Sequence, residues 1–389
     1  GLGMGHWRLW PDHGANPMHP NDGNWPFVYS AQPPPGMTLH DHIITRIMAE
    51  GPLRIDEYMN TCLLHPTMGY YTTRHPFGEH GDFITAPEIS QMFGELIGLC
   101  LAQKWLTDGA PNAFTLAELG PGRGTLMADV LRACRGVPGF LDAAQVVLVE
   151  ASPALQTVQR YTLGKHDVCW IDNTAQMPEA PLYLIANEFF DALPIRQFVR
   201  AGPLWRERQV GMNEGALQIG LGPALPQPAL TDRVEDTHDG DLVESCTAAT
   251  AVIADIATRI DKFGGAALIV DYGDWRSLGD TFQALKGHES VDPLVTPGQA
   301  DLTAHVDFEA LAKAAAPASY TKLTPQGVFL ERLGITERAQ RLANRLDGAA
   351  QQAHIAAHRR LTHPSEMGNL FKVLGLYQNG KTPPPGLEP

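Results

Sequence analysis

The sequence LAELGPGRGTLM, Leu116–Met127, carries the most informative local pattern of this chain. A short apolar run carries an acid, Glu118, near its end and is followed by three glycines at alternate positions, Gly120, Gly122 and Gly124. An apolar helical pattern begins directly after them. Glycine lets the backbone approach a ligand closely because it has no Cβ. The stretch therefore predicts a strand, a ligand-binding loop and a helix in direct succession.

On either side of this stretch the sequence alternates between strands and helices. Apolar runs typical of buried strands lie at 114–120, 144–152, 168–172, 182–188 and 266–273. Segments with helical spacing of apolar residues lie at 124–135 and 153–163. Strands and helices in alternation indicate a mostly parallel sheet covered on both faces, and so an α/β fold.

The regions outside this core suggest how the domain is organised. A helix is predicted at 38–50, an ordered loop rich in Gly, Pro and His at 65–87, and an amphipathic helix at 88–106. Turn-punctuated alternation from Arg196 predicts a hairpin-like insertion, and long helices are predicted at 241–265 and at 336–361. We expect an irregular arm over 1–36, one elaborated domain over 37–377 with an insertion at about 196–264, and a tail over 378–389.

Charge, cysteine spacing and the length of apolar runs exclude some classes of ligand and partner. The formal net charge of −14 argues against a nucleic-acid binder, which normally carries a basic stripe, and suits a cationic small molecule or a basic protein segment. The five cysteines are scattered without a C-x-x-C pair, so we expect no metal site. No apolar run approaches the roughly 20 residues that span a bilayer, so we expect no integral membrane segment.

The acid in the first strand indicates which ligand the glycine loop holds. A phosphate-binding P-loop needs a lysine that is absent here, and the dinucleotide pattern G-x-G-x-x-G fails because Thr125 stands at its last position. Glu118 would repel a pyrophosphate at the helix N-terminus. S-adenosylmethionine has an ammonium, a sulfonium and no phosphate. We therefore predict this cofactor on Glu118, the three glycines and Thr125.

The second and third strands add two candidate contacts. Glu150 ends the second strand, where a carboxylate can accept both ribose hydroxyls. NAD enzymes also carry an acid there, so only Glu118 and Glu150 together favour the sulfonium cofactor. Asp172 closes the third strand and either meets the adenine amino group or is an exposed aspartate of an Asp-Asn turn. The sequence leaves this choice open.

The fourth predicted strand ends in polar residues, in the sequence LIANEFFDALP. Ligands of open parallel sheets bind beyond the carboxyl ends of the strands, so Asn187, Glu188 and Asp191 should face the reactive side of the cofactor. The alternative is that Asn187 or Asp191 caps a following helix. We favour function for Glu188 and leave Asp191 undecided.

Several motifs in order resemble the MidA family of methyltransferases. They are GYYTTRHPFGEHGDFITAPEISQMFGE, ELGPGRGTLMADVLR, IANEFFDALPIRQF, LIVDYG, QADLTAHVDF, TPQGVFLERLGI and MGNLFKVLGL, and the similarity runs from about His40 to Leu376. The resemblance implies a class I, Rossmann-like methyltransferase fold. It would have a mostly parallel sheet, an N-terminal helical extension and an inserted β-rich and helical subdomain.

The resemblance also implies an activity. Members transfer methyl groups from S-adenosylmethionine to arginine nitrogens of a respiratory complex I subunit during assembly, which gives symmetric dimethylarginine. The resemblance implies that this takes place in the bacterial cytoplasm or the mitochondrial matrix. The family's GDF-x-T loop lies near the cofactor and corresponds to Gly81, Asp82, Phe83 and Thr85. None of these roles follows from composition or spacing alone.

Arginine methylation needs a carboxylate, because the guanidinium is always charged and its lone pairs are delocalised. A carboxylate bonded to one side of the fork localises charge there and frees the opposite nitrogen. Glu188 is the first candidate, with Asp191 or Glu207 as helpers. A small-molecule methyltransferase and a non-catalytic assembly factor that retains the cofactor pocket are the alternatives, and a nicotinamide oxidoreductase is a distant fourth.

Overall fold

A parallel sheet is built around the strand that leads into the glycine loop. This strand, Phe114–Leu119, is buried at every residue. It pairs in parallel with Ala144–Val149 on one side and with Leu182–Asn187 on the other. The computed structural model of the chain describes residues 36–73 and 84–389. The predicted arm, except for Gly36, lies outside the described residues.

The strands vary from two-residue bridges to ten-residue hairpin arms. In chain order they are β1 (Leu53–Arg54), β2 (Phe114–Leu119), β3 (Ala144–Val149), β4 (Val168–Ile171), β5 (Leu182–Asn187), β6 (Arg196–Ala201), β7 (Leu204–Asn213), β8 (Ala216–Leu225), β9 (Leu242–Ser245), β10 (Gly265–Asp274), β11 (Gln283–Lys286), β12 (Glu289–Val291), β13 (Asp301–Thr303), β14 (Val306–Asp307), β15 (Ser319–Tyr320), β16 (Thr324–Pro325) and β17 (Phe371–Tyr377).

The helices range from single turns to seventeen residues. In chain order they are α1 (Leu39–Glu50), α2 (Ile55–Leu64), α3 (Tyr70–Thr73), α4 (Ala86–Ile89), α5 (Gln91–Thr107), α6 (Thr125–Cys134), α7 (Phe140–Ala143), α8 (Pro153–Leu163), α9 (Thr247–Phe263), α10 (Phe308–Ala314), α11 (Gln326–Arg332), α12 (Ile335–Ala343), α13 (Gly348–Thr362) and α14 (Met367–Leu370).

The main sheet has the strand order β15-β17-β10-β5-β2-β3-β4, with β14 beside β10 and β16 beside β17. The strands from β10 to β4 are parallel, and β17 adds an antiparallel strand next to β10. Successive side chains of a strand point to opposite faces, and both Leu116 and Ala117 of β2 are fully buried. The predicted α/β fold with a mostly parallel sheet is confirmed.

Two helix starts agree with the sequence patterns. Thr38 caps α1 through its Oγ1, which accepts from the Asp41 N–H at 3.2 Å, and Asp41 accepts from the Thr38 N–H at 3.1 Å. This reciprocal pair is a capping box. Ser152 caps α8, and Pro153 takes the first helical position, where its missing N–H costs nothing.

The helix predicted at 88–106 is wrong in two respects. Ser90 is extended, with φ −158° and ψ 136°, so α4 and α5 are separate and α5 begins at Gln91. Nor is α5 simply amphipathic, because it is buried around most of its circumference. A Cβ on Gly94 would lie 2.6 Å from the Cβ of Asp129, and one on Gly98 would lie 3.0 Å from the Cα of Val130. These glycines let α6 pack closely on α5.

Two other predicted helices are shorter than expected. The segment 241–265 begins as β9, which pairs antiparallel with β6, and turns helical only at Thr247. The segment 336–361 contains two helices, α12 and α13, rather than one. In both cases sheet pairing or a turn between helices overrides helical spacing of the apolar residues.

The chain forms two compact units. Within the described residues, one comprises 36–73, 192–248 and 277–305 and is called the hairpin unit; the other comprises 84–191, 249–276 and 306–389 and is called the parallel-sheet unit. Most of α9, which the sequence analysis assigned to the insertion, lies in the parallel-sheet unit. The expected insertion at about 196–264 contributes the hairpin strands β6, β7 and β8.

The hairpin unit contains its own core. A five-stranded antiparallel sheet has the order β1-β7-β6-β9 with β8 beside β7, and a smaller sheet has the order β12-β11-β13. Ile43 of α1, Tyr58 of α2 and Val210 of β7 belong to one buried cluster. The N-terminal helices and the predicted hairpin therefore share a core. In the part of the chain that the structure describes, no helix is long and apolar enough to cross a membrane.

The first residue of β10 gives a test of the sheet. Gly265 has φ +107°, and a Cβ there would lie 2.0 Å from the carbonyl oxygen of Leu182. We expect Gly265→Ala to lower the free energy of unfolding by about 2–5 kcal/mol, from the left-handed backbone and the clash together. The matched control is Gly380→Ala, since Gly380 has φ +78° with nothing within 4 Å. Urea unfolding of the two variants should differ clearly, and equal losses would contradict this account.

Candidate functional site

The site lies where the carboxyl ends of neighbouring strands diverge. Strand β2 lies between β3, which follows it in the chain, and β5, which follows only after β4. The connections from β2 and β5 therefore leave in opposite directions, and a crevice opens between them at the carboxyl edge. The glycine loop, Glu150 and the end of β5 all come to this edge, as the sequence predicted.

All three glycines of the loop use backbone angles that other residues rarely adopt. Gly120, Gly122 and Gly124 have φ values of +58°, +54° and +83°. Gly124 is the N-cap of α6, and its N–H donates to the carbonyl of Pro121 at 2.7 Å. The loop therefore turns sharply into α6 and leaves room for a ligand close to the backbone.

Glu118 is a buried carboxyl group at the end of β2. It is 3% exposed, and burial raises its pKa to about 8, while the N–H of Met127 in the first turn of α6 lowers the pKa in part. Its Oε2 has no hydrogen-bond partner among the described residues. A buried carboxyl oxygen without a partner is costly unless a ligand supplies a donor or a positive charge.

Glu150 follows β3 and is held from two sides. Its Oε1 accepts from the N–H of Ser152 at 2.8 Å, and its Oε2 accepts from Nε2 of Gln159 at 3.2 Å. Burial raises the pKa of Glu150, and these two donors lower it in part. A carboxylate has about four acceptor sites, so two remain for a pair of hydroxyls.

Gln159 is a residue of this site that the sequence analysis missed. Its side chain is fully buried, and Nε2 also donates to the carbonyl of Gly122 at 2.8 Å. Its Oε1 accepts from Nε1 of Trp170 on β4 at 2.8 Å. One amide thereby ties the glycine loop to β3 and β4. A signal existed: Gln159 stands between Leu155 and Leu163 on the buried stripe of α8.

Asp172 follows β4 and is exposed. Its backbone N–H donates to Oε1 of Gln176 at 2.9 Å, and the neighbouring Asn173 caps a short 3₁₀ turn, Thr174–Gln176. This geometry is the turn that the Asp-Asn pair suggested. A contact of Asp172 with an adenine stays a prediction.

The end of β5 carries a strained acid. Glu188 has φ +50°, a left-handed conformation that is uncommon and costly for residues other than glycine. Its Oε1 accepts from the N–H of Ala86 at 3.3 Å. Burial and the charge of Asp191 raise the pKa of Glu188 to about 8, and the Ala86 N–H, Asn187 and Arg360 lower it in part. Backbone strain of this kind persists where surrounding contacts enforce it.

The remaining polar groups of this loop do not cap a helix. Asn187 is 8% exposed, and its Oδ1 has no hydrogen-bond partner among the described residues. Asp191 lies in a 3₁₀ turn, Phe190–Ala192, which leads into β6 instead of an α-helix. The capping alternative is therefore wrong for both residues.

Asp271 on β10 is a second residue that the sequence analysis missed. It is fully buried, and its Oδ2 accepts from the N–H groups of Phe190 at 3.0 Å and Asp191 at 3.2 Å. Burial and the charges of Asp191 and Glu188 raise its pKa well above the ordinary value. The only signal was an acid inside the buried strand LIVDYG.

Helix α4 connects the two sides of the crevice. Its Ala86 N–H reaches Glu188, and Oε1 of Glu88 accepts from Oγ1 of Thr125 at 2.7 Å. Oε2 of Glu88 lies 3.6 Å from Nη1 of Arg123 in the glycine loop. Thr85 is the N-cap of α4 and makes no side-chain cap hydrogen bond.

Two sets of predicted site residues are not found at this edge in the part of the chain that the structure describes. Gly81, Asp82 and Phe83 lie outside the described residues. Glu207, the possible helper on β7, belongs to the hairpin unit, and both of its oxygens bind the fork of Arg196 at 2.7 and 2.8 Å. The Arg196 guanidinium already balances the charge of this carboxylate, which argues against Glu207 as a helper for a second guanidinium. Among residues 36–73 and 84–389, no group of three or more His, Cys, Asp or Glu side chains could hold a metal ion.

Comparison with known proteins agrees with this geometry. A sequence profile described as "Putative S-adenosyl-L-methionine-dependent methyltransferase" matches residues 96–326. The chain belongs to this family. It is 37% identical over 373 residues to "Protein arginine methyltransferase NDUFAF7, mitochondrial" from Xenopus laevis, covering 88% of this chain and 85% of that protein. The human protein of the same name is 35% identical over 366 residues, covering 86% and 82%.

A solved structure extends the match to the fold. A Burkholderia thailandensis protein crystallised with S-adenosyl-homocysteine superimposes with a TM-score of 0.75 at 28% identity, covering 90% of this chain and 93% of that one. The resemblance to MidA methyltransferases and the Rossmann-like fold are thereby confirmed.

The cofactor of the family is S-adenosylmethionine, as the glycine loop predicted. The residues present fit this group. The unpartnered oxygen of Glu118 suits its ammonium, and the two free acceptor sites of Glu150 suit its ribose. The glycines from Gly120 to Gly124 bring the loop backbone to the same edge without side chains. These individual contacts stay predictions.

A matched pair of glycines tests the loop. Gly120 and Gly164 have nearly equal φ values, +58° and +59°, but a Cβ on Gly120 would lie 2.8 Å from the ring of Phe189 while one on Gly164 meets nothing within 4 Å. We expect Gly120→Val to weaken S-adenosyl-homocysteine binding at least about a hundredfold, because the loop must shift from its ligand-binding position. Gly164→Val should bind within a few-fold of wild type. Calorimetry on folded variants decides, and normal binding by Gly120→Val would show that the loop is misassigned.

Proposed function

We propose that this chain methylates arginine side chains of a protein, with Glu188 as the residue that holds the guanidinium. The observation that supports this most is the strained, raised-pKa carboxyl group at the ligand edge, next to a cofactor loop of the methyltransferase type. The curated relatives carry the name protein arginine methyltransferase, which supports the same substrate class.

The chemistry asks little of the protein beyond alignment and charge. The bound cofactor supplies an electrophilic methyl group, and the enzyme must bring a nucleophile into line and exclude water. For an arginine, Glu188 would accept hydrogen bonds from one side of the guanidinium fork. This contact localises the positive charge near the carboxylate and leaves the opposite nitrogen free to attack.

The charges around Glu188 favour a cationic substrate. The charge of Asp191 raises the pKa of both Glu188 and Asp271, and Arg360 is the cation that acts on Glu188. Three acids against one arginine leave room for further positive charge. In this proposal Glu188 is catalytic, and Asp191 assists by strengthening the negative potential.

The target protein and the cellular compartment follow from charge and family rather than from the site. The net charge of −14 suits a basic protein segment, and the resemblance to the MidA family implies an arginine of a respiratory complex I subunit. The curated relatives are named mitochondrial, which favours the mitochondrial matrix over a bacterial cytoplasm. The proposed cofactor contacts are Glu118, Gly120, Gly122, Gly124, Thr125, Glu150, Asp172, Asn187, Gly81 and Thr85.

One experiment tests the activity directly. The protein is incubated with S-adenosylmethionine labelled in its methyl group and with a lysate from cells that lack the enzyme. The labelled band is identified, and its acid hydrolysate is analysed for methylated arginine. Label in a small molecule alone would favour the small-molecule alternative, and no transfer at all would favour the non-catalytic assembly factor.

The substitution Glu188→Gln tests the catalytic role. It keeps the shape of the side chain but removes one charge-assisted contact, worth on the order of 1.5–3 kcal/mol, so turnover should fall about tenfold to a hundredfold or more. Cofactor affinity should change little. Methylation and binding are measured on the same preparation, with Glu179→Gln, an exposed position, as the control. Equal losses of turnover and cofactor affinity would instead make Glu188 a cofactor contact.

The raised pKa of Glu188 predicts the pH dependence of the reaction. A carboxyl group with a pKa of about 8 is mostly neutral at pH 6.5 and becomes charged as the pH rises. If the charged form holds the substrate, kcat/KM for the methyl acceptor should rise with pH and level off above about 8. The profile is measured from pH 6 to 9.5 at saturating cofactor. A flat profile, or one that falls with pH, would contradict the role of the charged form.

A further inference from the structure

Asp271 is the most deeply buried acid at the ligand edge. It lies near the carboxyl end of β10 and is 0% exposed. Three backbone N–H groups donate to it: those of Phe190 and Asp191 to Oδ2, and that of Tyr272 to Oδ1 at 3.0 Å. Two of these donors belong to the loop after β5, so an acid on one strand fixes a loop on its neighbour.

The loop it fixes carries both candidate catalytic acids. The N–H of Glu188 donates to the carbonyl of Val270 at 2.9 Å, immediately before Asp271 in β10. The loop is therefore attached to β10 at Glu188 and again at Phe190 and Asp191. Between these attachments the backbone adopts the left-handed angle of Glu188. Such a conformation costs of order 1–3 kcal/mol and needs contacts that enforce it.

Burying an acid for this purpose is expensive, and the neighbouring charges raise the cost. Glu188 and Asp191 both oppose ionisation of Asp271, and Arg360 from α13 is the cation that acts on Glu188. Lys372 stands opposite Asp271 on β17, but its Nζ donates to the carbonyls of Gly273 and Asn369. A neutral acceptor could bind the loop N–H groups without adding a third acid to this edge. An acid kept here at such a cost indicates a role in function.

We propose that Asp271 is a positioning residue that, by accepting the N–H groups of Phe190 and Asp191, holds Glu188 and Asp191 in the orientation that receives the methyl-accepting group. It does not touch the substrate itself. The inference rests on the proposed function, since it gives Asp271 a task within that site.

Two variants test whether the loop needs the acceptor on Asp271. Asp271→Ala removes the acceptor, while Asp271→Asn keeps one oxygen that can accept from the loop but carries no charge. Asp255→Ala is the control, since Asp255 accepts a hydrogen bond from Thr174 in the same unit and lies outside the site. Each variant is first checked for folding by its melting temperature and for binding of S-adenosyl-homocysteine, which should stay within about threefold of wild type because the glycine loop is untouched.

Amide hydrogen exchange reports on the loop without any enzymatic activity. In Asp271→Ala the peptide that covers residues 187–193 should exchange at least about tenfold faster, because two amides lose their acceptor. Turnover should fall about a hundredfold, as for a displaced catalytic group, with the cofactor KM nearly unchanged. Asp271→Asn, which keeps an oxygen that can accept from the loop, should retain more turnover than Asp271→Ala. Asp255→Ala should match wild type in the exchange of residues 187–193, in turnover and in the cofactor KM.

The outcomes distinguish this inference from the function on which it rests. Wild-type exchange and turnover in Asp271→Ala would overturn the positioning role. Equal losses of turnover in Asp271→Asn and Asp271→Ala would also contradict it, because only Asp271→Asn keeps an acceptor for the loop. If the wild-type protein methylates no arginine, the proposed function fails, and the exchange of residues 187–193 still decides whether Asp271 holds the loop.

Discussion

The arrangement of this site depends on carboxyl groups that are buried or half-buried at one edge of a parallel sheet. Glu118 ends β2, Glu188 follows β5, and Asp271 lies in β10, and burial raises the pKa of each. A buried acid without a cation is unfavourable, whether it ionises or stays neutral. The edge therefore favours ligands that bring positive charge. Both the family's cofactor and an arginine side chain carry positive charge. The same acidic edge therefore accounts for both proposed ligands.

The strand order explains how these acids meet although they are far apart in the sequence. Parallel strands align their carboxyl ends, and the divergence between β2 and β5 opens the crevice there. Local contacts then set the details. Gln159 joins the glycine loop to Glu150, Glu88 joins α4 to α6, and Asp271 holds the loop after β5. The segments around the site are thus each tied to a neighbouring element by one polar side chain, which is fully buried for Gln159 and Asp271.

The sequence predicted the parts that follow from local pattern. Apolar runs predicted the five parallel strands to within a few residues, and the spacing of the three glycines predicted the loop between β2 and α6. Contacts between distant segments left weaker signals. Gln159 looked like one polar residue on a helix, and Asp271 like one acid in an apolar strand. Boundaries failed where tertiary pairing outweighed helical spacing, as at Leu242, which pairs with β6 although a helical pattern surrounds it.

The raised pKa values also connect binding with stability. Glu118 and Glu188 have folded pKa values of about 8 against 4.5 for the ordinary side chain. The folded state therefore holds their protons more tightly than the unfolded state. Their contribution to stability is complete below about pH 4.5 and is lost as the pH rises through 8. At neutral pH the free protein thus carries acids poised between neutral and charged, and a bound cation favours the charged form. The site therefore lowers the stability of the free protein in favour of binding. If every acid at this edge had its own cation in the protein, the fold would be more stable, but the edge would attract a cationic ligand less strongly.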